Sequence, residues 1–262
     1  MRQMCWTGFL IVPVLLAPLI FADEWHKTFP VSGKPDLRID VGDGSVSIHP
    51  SERNEIDARV TTQGWKISDS EVRIVERQNG NRVEIDVRVP HLNISFGHRS
   101  IHLELLVPRE LSAQIHSGDG RISAQDLKGE LHFSSGDGAI EADSIDGIVE
   151  AKSGDGHIRV SGRWERLDLE TQDGSVEAEA RAGSKMAGSW RVHTGDGHVT
   201  LRLPENFAAD LDVHTGDGKI TIDFPVTTSG SFGGSDVRGK LNGGGQTLVV
   251  HTGDGPIHIQ RL

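Results

Sequence analysis

The chain has 262 residues, 32 of them glycine, with 35% hydrophobic and 5% aromatic residues, no tyrosine and a formal net charge of -11. That acidic balance argues against nucleic acid and anionic membrane surfaces as partners. A single cysteine, Cys5, leaves no internal disulfide to hold a fold together.

Residues 1–22 read as a secretory signal peptide. Arg2 supplies the positive start, residues 9–21 form an apolar run broken only by Pro13 and Pro18, and Ala22 suits cleavage. The run is short for a membrane span, and the mature chain contains no second one. An uncleaved anchor is the alternative. Cys5 would leave with the signal segment, and the mature chain is expected outside the cytoplasm, in the periplasm, in the cell envelope or secreted.

Residues 23–115 carry longer alternating apolar–polar segments, at 36–49, 56–62, 71–76, 82–89 and 100–107. Turn residues such as Gln78-Asn79-Gly80-Asn81 separate them. The pattern predicts antiparallel strands of a small sandwich or sheet, placed to cap the open edge of whatever follows.

From residue 116 to 262 a turn signal takes over. Gly-Asp-Gly opens at Gly118, Gly136 and Gly154, on an 18-residue spacing that Gln172-Asp173-Gly174 keeps, and again at Gly195, Gly216 and Gly253. An isolated early copy opens at Gly42. The underlying period is nine: Lys128-Gly129 and Asp146-Gly147 fall midway, and each turn precedes a short alternation of polar and apolar residues. Alternation means strands with one buried face, and a fixed even period means stacked units. The expectation is an all-β, parallel β-solenoid with two short strands per ~18-residue coil. Ile122, Ile140, Ile158 and Val176 form one inward column, and Leu131, Val149 and Leu167 form the facing one. Glycine would supply positive φ at the corner, and Asp would bond backbone N–H groups two residues on. Ser or Thr precedes most copies, as at Ser117, Ser135, Ser153, Thr194, Thr215 and Thr252. Segments 182–188, 204–209 and 225–245 interrupt the clock. The longest, rich in Gly and Ser, is expected as a surface loop, with Trp190 and Phe207 plugging the lower core.

These turns, with Val107-Pro108 before the first coil, Leu203-Pro204 between coils and the ending Leu241-Asn242-Gly243-Gly244-Gly245 … Thr252-Gly253-Asp254-Gly255-Pro256-Ile257, make the chain resemble a family of bacterial envelope adhesin-like proteins of unknown function with β-strand repeats. The resemblance covers roughly residues 30–262. It implies the solenoid fold and no established reaction.

Two columns carry candidate chemistry. Asp119, Asp137, Asp155 and Asp173 would stack at one corner about 4.8 Å apart, where a cation would relieve their repulsion. Calcium-binding rolls place Asp two residues before the apolar position after Gly-Gly-x-Gly. Here Asp119 lies three before Ile122 and that glycine run is missing, so turn formation is the reading preferred over a calcium ladder. His193, His214 and His251 each sit two residues before a Gly-Asp-Gly, and a stacked histidine column can bind zinc or copper. Earlier coils put Ser134, Lys152 and Glu170 there, which favours solvated strand histidines. The acidic residues follow the repeat, as Glu141, Glu150, Glu170 and Glu177 do, and no nucleophile-elbow, zincin or phosphate-loop motif occurs. The expectation is a non-catalytic, cofactor-free adhesin-like module presenting its face to an envelope protein or a glycan. The alternative is a β-helical carbohydrate-active enzyme with paired carboxylates.

Overall fold

The structure, a computed structural model, describes residues 22–89, 99–232 and 234–262. Residues 1–21 of the expected signal segment, Cys5 included, therefore lie outside the described residues, and Ala22 opens the first strand. The first third forms β1 (Ala22–Pro30), β2 (Asp36–Val41), β3 (Ser45–Ser51), β4 (Glu55–Gln63), β5 (Arg73–Asn79), β6 (Arg82–Arg88) and β7 (Ser100–Pro108). The regular repeats form β8 (Glu110–Ser117), β9 (Ile122–Gln125), β10 (Lys128–Ser135), β11 (Ile140–Ser153), β12 (Ile158–Thr171) and β13 (Val176–Ala180). The remainder forms β14 (Trp190–Asp196), β15 (Val199–Leu203), β16 (Ala209–Asp217), β17 (Ile220–Ile222), β18 (Val226–Phe232), β19 (Asp236–Leu241), β20 (Thr247–Asp254) and β21 (Ile257–Arg261). Among the described residues there is no helix.

The strands line up as two facing layers. The first runs β5–β6–β2–β8–β10, through the second halves of β11 and β12, to β14–β20–β16–β19–β18. The second runs β1–β4–β7–β3–β9, through the first halves of β11 and β12, to β13–β15–β21–β17. β11 and β12 pass from one layer to the other, which makes this a solenoid. Pairing is parallel along the stack and antiparallel only at its two ends: β1–β4–β7 and β5–β6 at one, β16–β19–β18 at the other.

The inward columns are those the alternation requires. Ile122, Ile140, Ile158 and Val176 stand in register and fully buried, continued by Val199 and Ile257. Leu131, Val149 and Leu167 oppose them, also fully buried. Lower down, Trp190 packs between Trp164 and Phe207, with ring centroids 5.7 and 5.1 Å away.

Each Gly-Asp-Gly corner rests on the one before it. The preceding Ser or Thr is buried and bonded twice. Ser153 Oγ donates to the carbonyl of Gly138 in the previous coil at 3.0 Å and accepts from the N–H of Gly156 in its own at 3.1 Å. Ser135 does the same between Gly120 and Gly138, and Thr171 between Gly156 and Gly174. Ser117, Thr194, Thr252 and Thr215 extend the donor series, to Gly44, Gly174, Gly197 and Gly255. The hydroxyl therefore caps the turn, a role expected of Asp. The first corner glycine is also required for a different reason than expected. Its φ is ordinary at Gly136 and Gly154, but a Cβ there would lie 2.5 Å from the carbonyl oxygen of the previous coil. Positive φ is found instead at half-coil turns, such as Gly129 and Gly147, and at one corner, on its last glycine, Gly255.

In space the corners do not follow chain order. They stack as Gly42, Gly118, Gly136, Gly154, Gln172, Gly195, Gly253 and Gly216. The first corner corrects the expectation of an isolated early copy and of one antiparallel segment at 36–49. Gly42-Asp43-Gly44 splits that stretch into β2 and β3, which pair parallel with β8 and β9 and with β6 and β7. The departure from chain order slots β20 and β21 between β14–β15 and β16–β17. Segment 225–245, expected as a loop, supplies the means. β18 and β19 form a hairpin, and β19 covers the outer edge of β16 while β20 takes its inner edge. Positive φ at Asn242, Gly243 and Gly244 turns the chain back between them.

Two variants test the corner. Gly154→Ala should destabilise the fold by about 1–3 kcal/mol through overpacking, visible as a lower melting temperature by circular dichroism. Gly188→Ala, where no atom lies within 4 Å of the added methyl, should stay near wild type. Equal melting temperatures would mean the coils are spaced more widely than described. Ser153→Ala should cost about 1–3 kcal/mol, because it strands a buried carbonyl and a buried N–H, and a neutral result would remove the hydroxyl from its capping role.

Candidate functional site

The outer faces are where chemistry is possible, since the inner columns are apolar. The corner carboxylates Asp119, Asp137, Asp155 and Asp173 are all exposed and in register. Asp43, Asp196, Asp254 and Asp217 extend the row. Three of them lean toward the glycine of the next coil: Asp43 Oδ1, Asp119 Oδ1 and Asp137 Oδ1 approach the Cβ positions of Gly118, Gly136 and Gly154 at 2.8, 2.8 and 2.9 Å. Among the described residues, no three His, Cys, Asp or Glu side chains are gathered around a common point as placed.

The histidines form a true column, in an order the sequence did not foretell. His193 pairs in register with His251, and His251 with His214, because β20 lies between β14 and β16. The rings of His214 and His251 stand edge to face at 5.9 Å between centroids. Asp236, from β19, holds His214 Nδ1 at 2.8 Å. Burial pushes the His251 imidazole below its ordinary pKa, despite Asp212 Oδ1 at 3.9 Å. His258 lies on the other layer, between Thr200 and Thr221.

Toward the middle of the first layer, His132 Nδ1 meets Glu150 at 2.9 Å, and Lys152 bridges Glu150 and Glu170 at 3.2 and 3.4 Å. Burial raises Glu150, but Lys152 and His132 outweigh it and leave the carboxyl below its ordinary range. Asp168, in the next coil, is pushed up by burial and by Glu150 and Glu170, against the pull of Arg191 at 3.2 Å.

The second layer bears a trough of about 530 Å³ that runs along the stack axis. One wall is the in-register row Glu141, Arg159, Glu177. The other is Asp143, Ser161, Glu179 and Arg202. Asp143 and Ser144 form a bulge where β11 shifts register against β12, with Ser144 at φ 57°. Arg181 reaches across to Ser144 Oγ at 2.7 Å and Asp143 Oδ1 at 3.2 Å. A hydrogen bond from Ser161, with further help from Ser144 and Arg181, holds Asp143 below the usual carboxylate range. Arg163 does the same to Asp146. The sequence did not single out Asp143, Ser144, Ser161, Arg181 or Asp168. The available signal was the departure from period at Asp143-Ser144, which a reading built on the period passes over.

Residues 149–260 match the family model described as Toastrack DUF4097, a domain of unknown function. That segment runs from β11 to β21 and contains the whole histidine column. No curated protein matches the chain. Solved structures similar to it include a "putative cell adhesion protein" from Clostridium sporogenes, at 13% identity, covering 92% of this chain and 100% of that one with a TM-score of 0.47. Two structures named "putative adhesin" are also similar. The one from Bacteroides fragilis has 12% identity, coverage of 91% and 97% and a TM-score of 0.46. The one from Parabacteroides merdae has 11% identity, coverage of 92% and 96% and a TM-score of 0.45. Among the described residues, no helix is long and apolar enough to cross a membrane.

The lowered carboxyls set an acid dependence. Asp143, Asp146 and Glu150 hold their protons less tightly folded than unfolded. As pH falls from the ordinary carboxylate range, roughly pH 4, the unfolded chain takes up those protons first. The stability they give is present above that range and lost as pH drops through their folded values. Asp168 has the opposite sign: its favourable protonated form is lost as pH rises through its raised value. With three groups against one, the melting temperature should fall from about pH 5 downward, and Asp143→Asn should flatten the slope. A melting temperature that rises on acidification would contradict the assigned pairings.

Proposed function

We propose that this chain is a non-catalytic, extracytoplasmic interaction module that holds an extended partner along the trough of its second layer. A glycan chain or an extended segment of an envelope protein fits that trough. The observation that carries this reading is the pair of rows walling the trough, Glu141-Arg159-Glu177 and Ser161-Glu179-Arg202 in register, with the bulged Asp143 beside the second. Parallel strands present such side chains about 4.8 Å apart, so donors and acceptors recur at a fixed interval along one line. A ligand with polar groups at regular spacing makes many equivalent weak contacts there, and binding is cumulative. The lining holds the carboxylates of Glu141, Asp143, Glu177 and Glu179 against the guanidiniums of Arg159, Arg181 and Arg202. That near balance suits a neutral or zwitterionic polymer better than a polyanion. The extracytoplasmic part of the proposal is supported by the apolar leader at residues 1–22 and the acidic composition.

One observation favours the enzyme alternative. Asp168 is a carboxyl raised by burial beside Glu150 and Glu170, the arrangement a general acid needs. Against it, Asp168 is tied to Arg191 on an open strand face, where no wall excludes water from a reacting bond.

Retention on immobilised envelope and plant polysaccharides, assayed together with turnover, separates the two. The proposal expects retention without turnover, and loss of retention in an Arg159→Glu/Arg202→Glu variant that keeps its circular dichroism spectrum. Turnover abolished by Asp168→Asn, with the fold intact, would replace the binding reading with the enzymatic one.

A further inference from the structure

We infer that His251, His214 and His193 form a binding site for a divalent transition metal of the zinc or copper type. The inference concerns the first layer and is independent of the trough.

The first observation is an orphaned atom. His251 Nε2 is buried and has no hydrogen-bond partner, and Asp212 Oδ1 stops short at 3.9 Å. A buried imidazole nitrogen left without a partner costs free energy unless a ligand takes its lone pair. Burial also disfavours the protonated ring, which leaves the lone pair free for a metal.

The second observation is the neighbouring ring. Two imidazoles sharing one ion at a Zn–N distance of about 2.0–2.1 Å have centroids about 5–6 Å apart, and those of His214 and His251 are 5.9 Å apart. Asp236 Oδ1 sits 2.8 Å from His214 Nδ1. With the Nδ1 proton donated to that carboxylate, Nε2 of His214 is the acceptor nitrogen, in the carboxylate–histidine arrangement that metal-binding histidines adopt.

The third observation is topological. His193 lies in register on the far side of His251, so a third imidazole is one strand spacing away. As the side chains stand, the three do not converge on one point. His193 and His214 are exposed, and rotation between staggered rotamers is open to both. Arg238, 3.3 Å from Asp212 Oδ1, opposes a cation by its charge. It is exposed and can swing away, which frees Asp212 as an oxygen ligand. Imidazole nitrogens with at most one carboxylate select zinc or copper over calcium or magnesium.

The test is isothermal titration of chelator-stripped protein, free of any histidine tag, with Zn2+ alone. One ion should bind per chain. His251→Asn should abolish that binding or weaken it by more than about tenfold, and Asp236→Asn should weaken it about tenfold. His258→Asn, on the other layer, should leave it unchanged. Cu2+-loaded wild-type protein should show nitrogen hyperfine splitting from at least two imidazoles in its electron paramagnetic resonance spectrum. No saturable Zn2+ binding, or equal binding by a folded His251→Asn variant, overturns the inference. If that variant does not fold, the Cu2+ spectrum decides, and a spectrum without nitrogen splitting overturns it equally.

Discussion

The whole stack hangs on one buried hydroxyl at every corner after the first. Ser117, Ser135, Ser153, Thr171, Thr194, Thr252 and Thr215 are all shielded from water. Four of them, Ser117, Ser135, Ser153 and Thr171, each donate to a glycine carbonyl in the coil before and accept a glycine N–H in their own. A carbonyl at a tight corner points away from any strand partner and would otherwise be stranded. The hydroxyl satisfies it and the next turn together, so every corner depends on its neighbour. Chains of such bonds polarise one another in a low dielectric. The glycines follow from the same constraint, because a donor and acceptor so close leave no room for a methyl between coils.

That corner is also the reason chain order and spatial order can differ. Each coil shows the same upper and lower edge to whatever stacks on it, so the repeat specifies that coils stack but not which one comes next. Two segments exploit this. β2 and β3 join the regular coils from seventy residues upstream, and β20 and β21 enter between coils already laid down. The hairpin of β18 and β19 blunts the edge that would otherwise be open beside β16.

This sorts what the sequence could disclose from what it could not. Period, strand phase and the inward columns follow from the alternation of apolar residues, and Ile140 and Leu131 could be placed by counting. Gly and Asp at the turn signalled a corner, but their chemistry there was misassigned between hydroxyl and carboxylate, because the decisive contact is with another coil rather than within the turn. The hairpin at 225–245 was hidden by a composition rich in Gly and Ser, the usual mark of a loop. The histidine column was half visible: the shared offset before Gly-Asp-Gly put His193, His214 and His251 on one line. Only the insertion of β20 makes His251 the middle member and buries its nitrogen. The Asp143-Ser144 bulge lies off the period altogether, and Arg181 reaches it from a coil further on.

The position of β20 and β21 has a consequence for how the molecule is made. A solenoid that stacks in chain order can fold as it is synthesised, each coil docking on the last. Here β14 and β15 keep an unfilled edge, and β16 and β17 cannot take their place, until β20 and β21 arrive to be wedged between them. Contacts between such distant segments close late. The lower part of the stack therefore assembles only after residues 247–261 have been made and are free to dock. Until then its open edges are in the keeping of whatever holds unfinished chains apart.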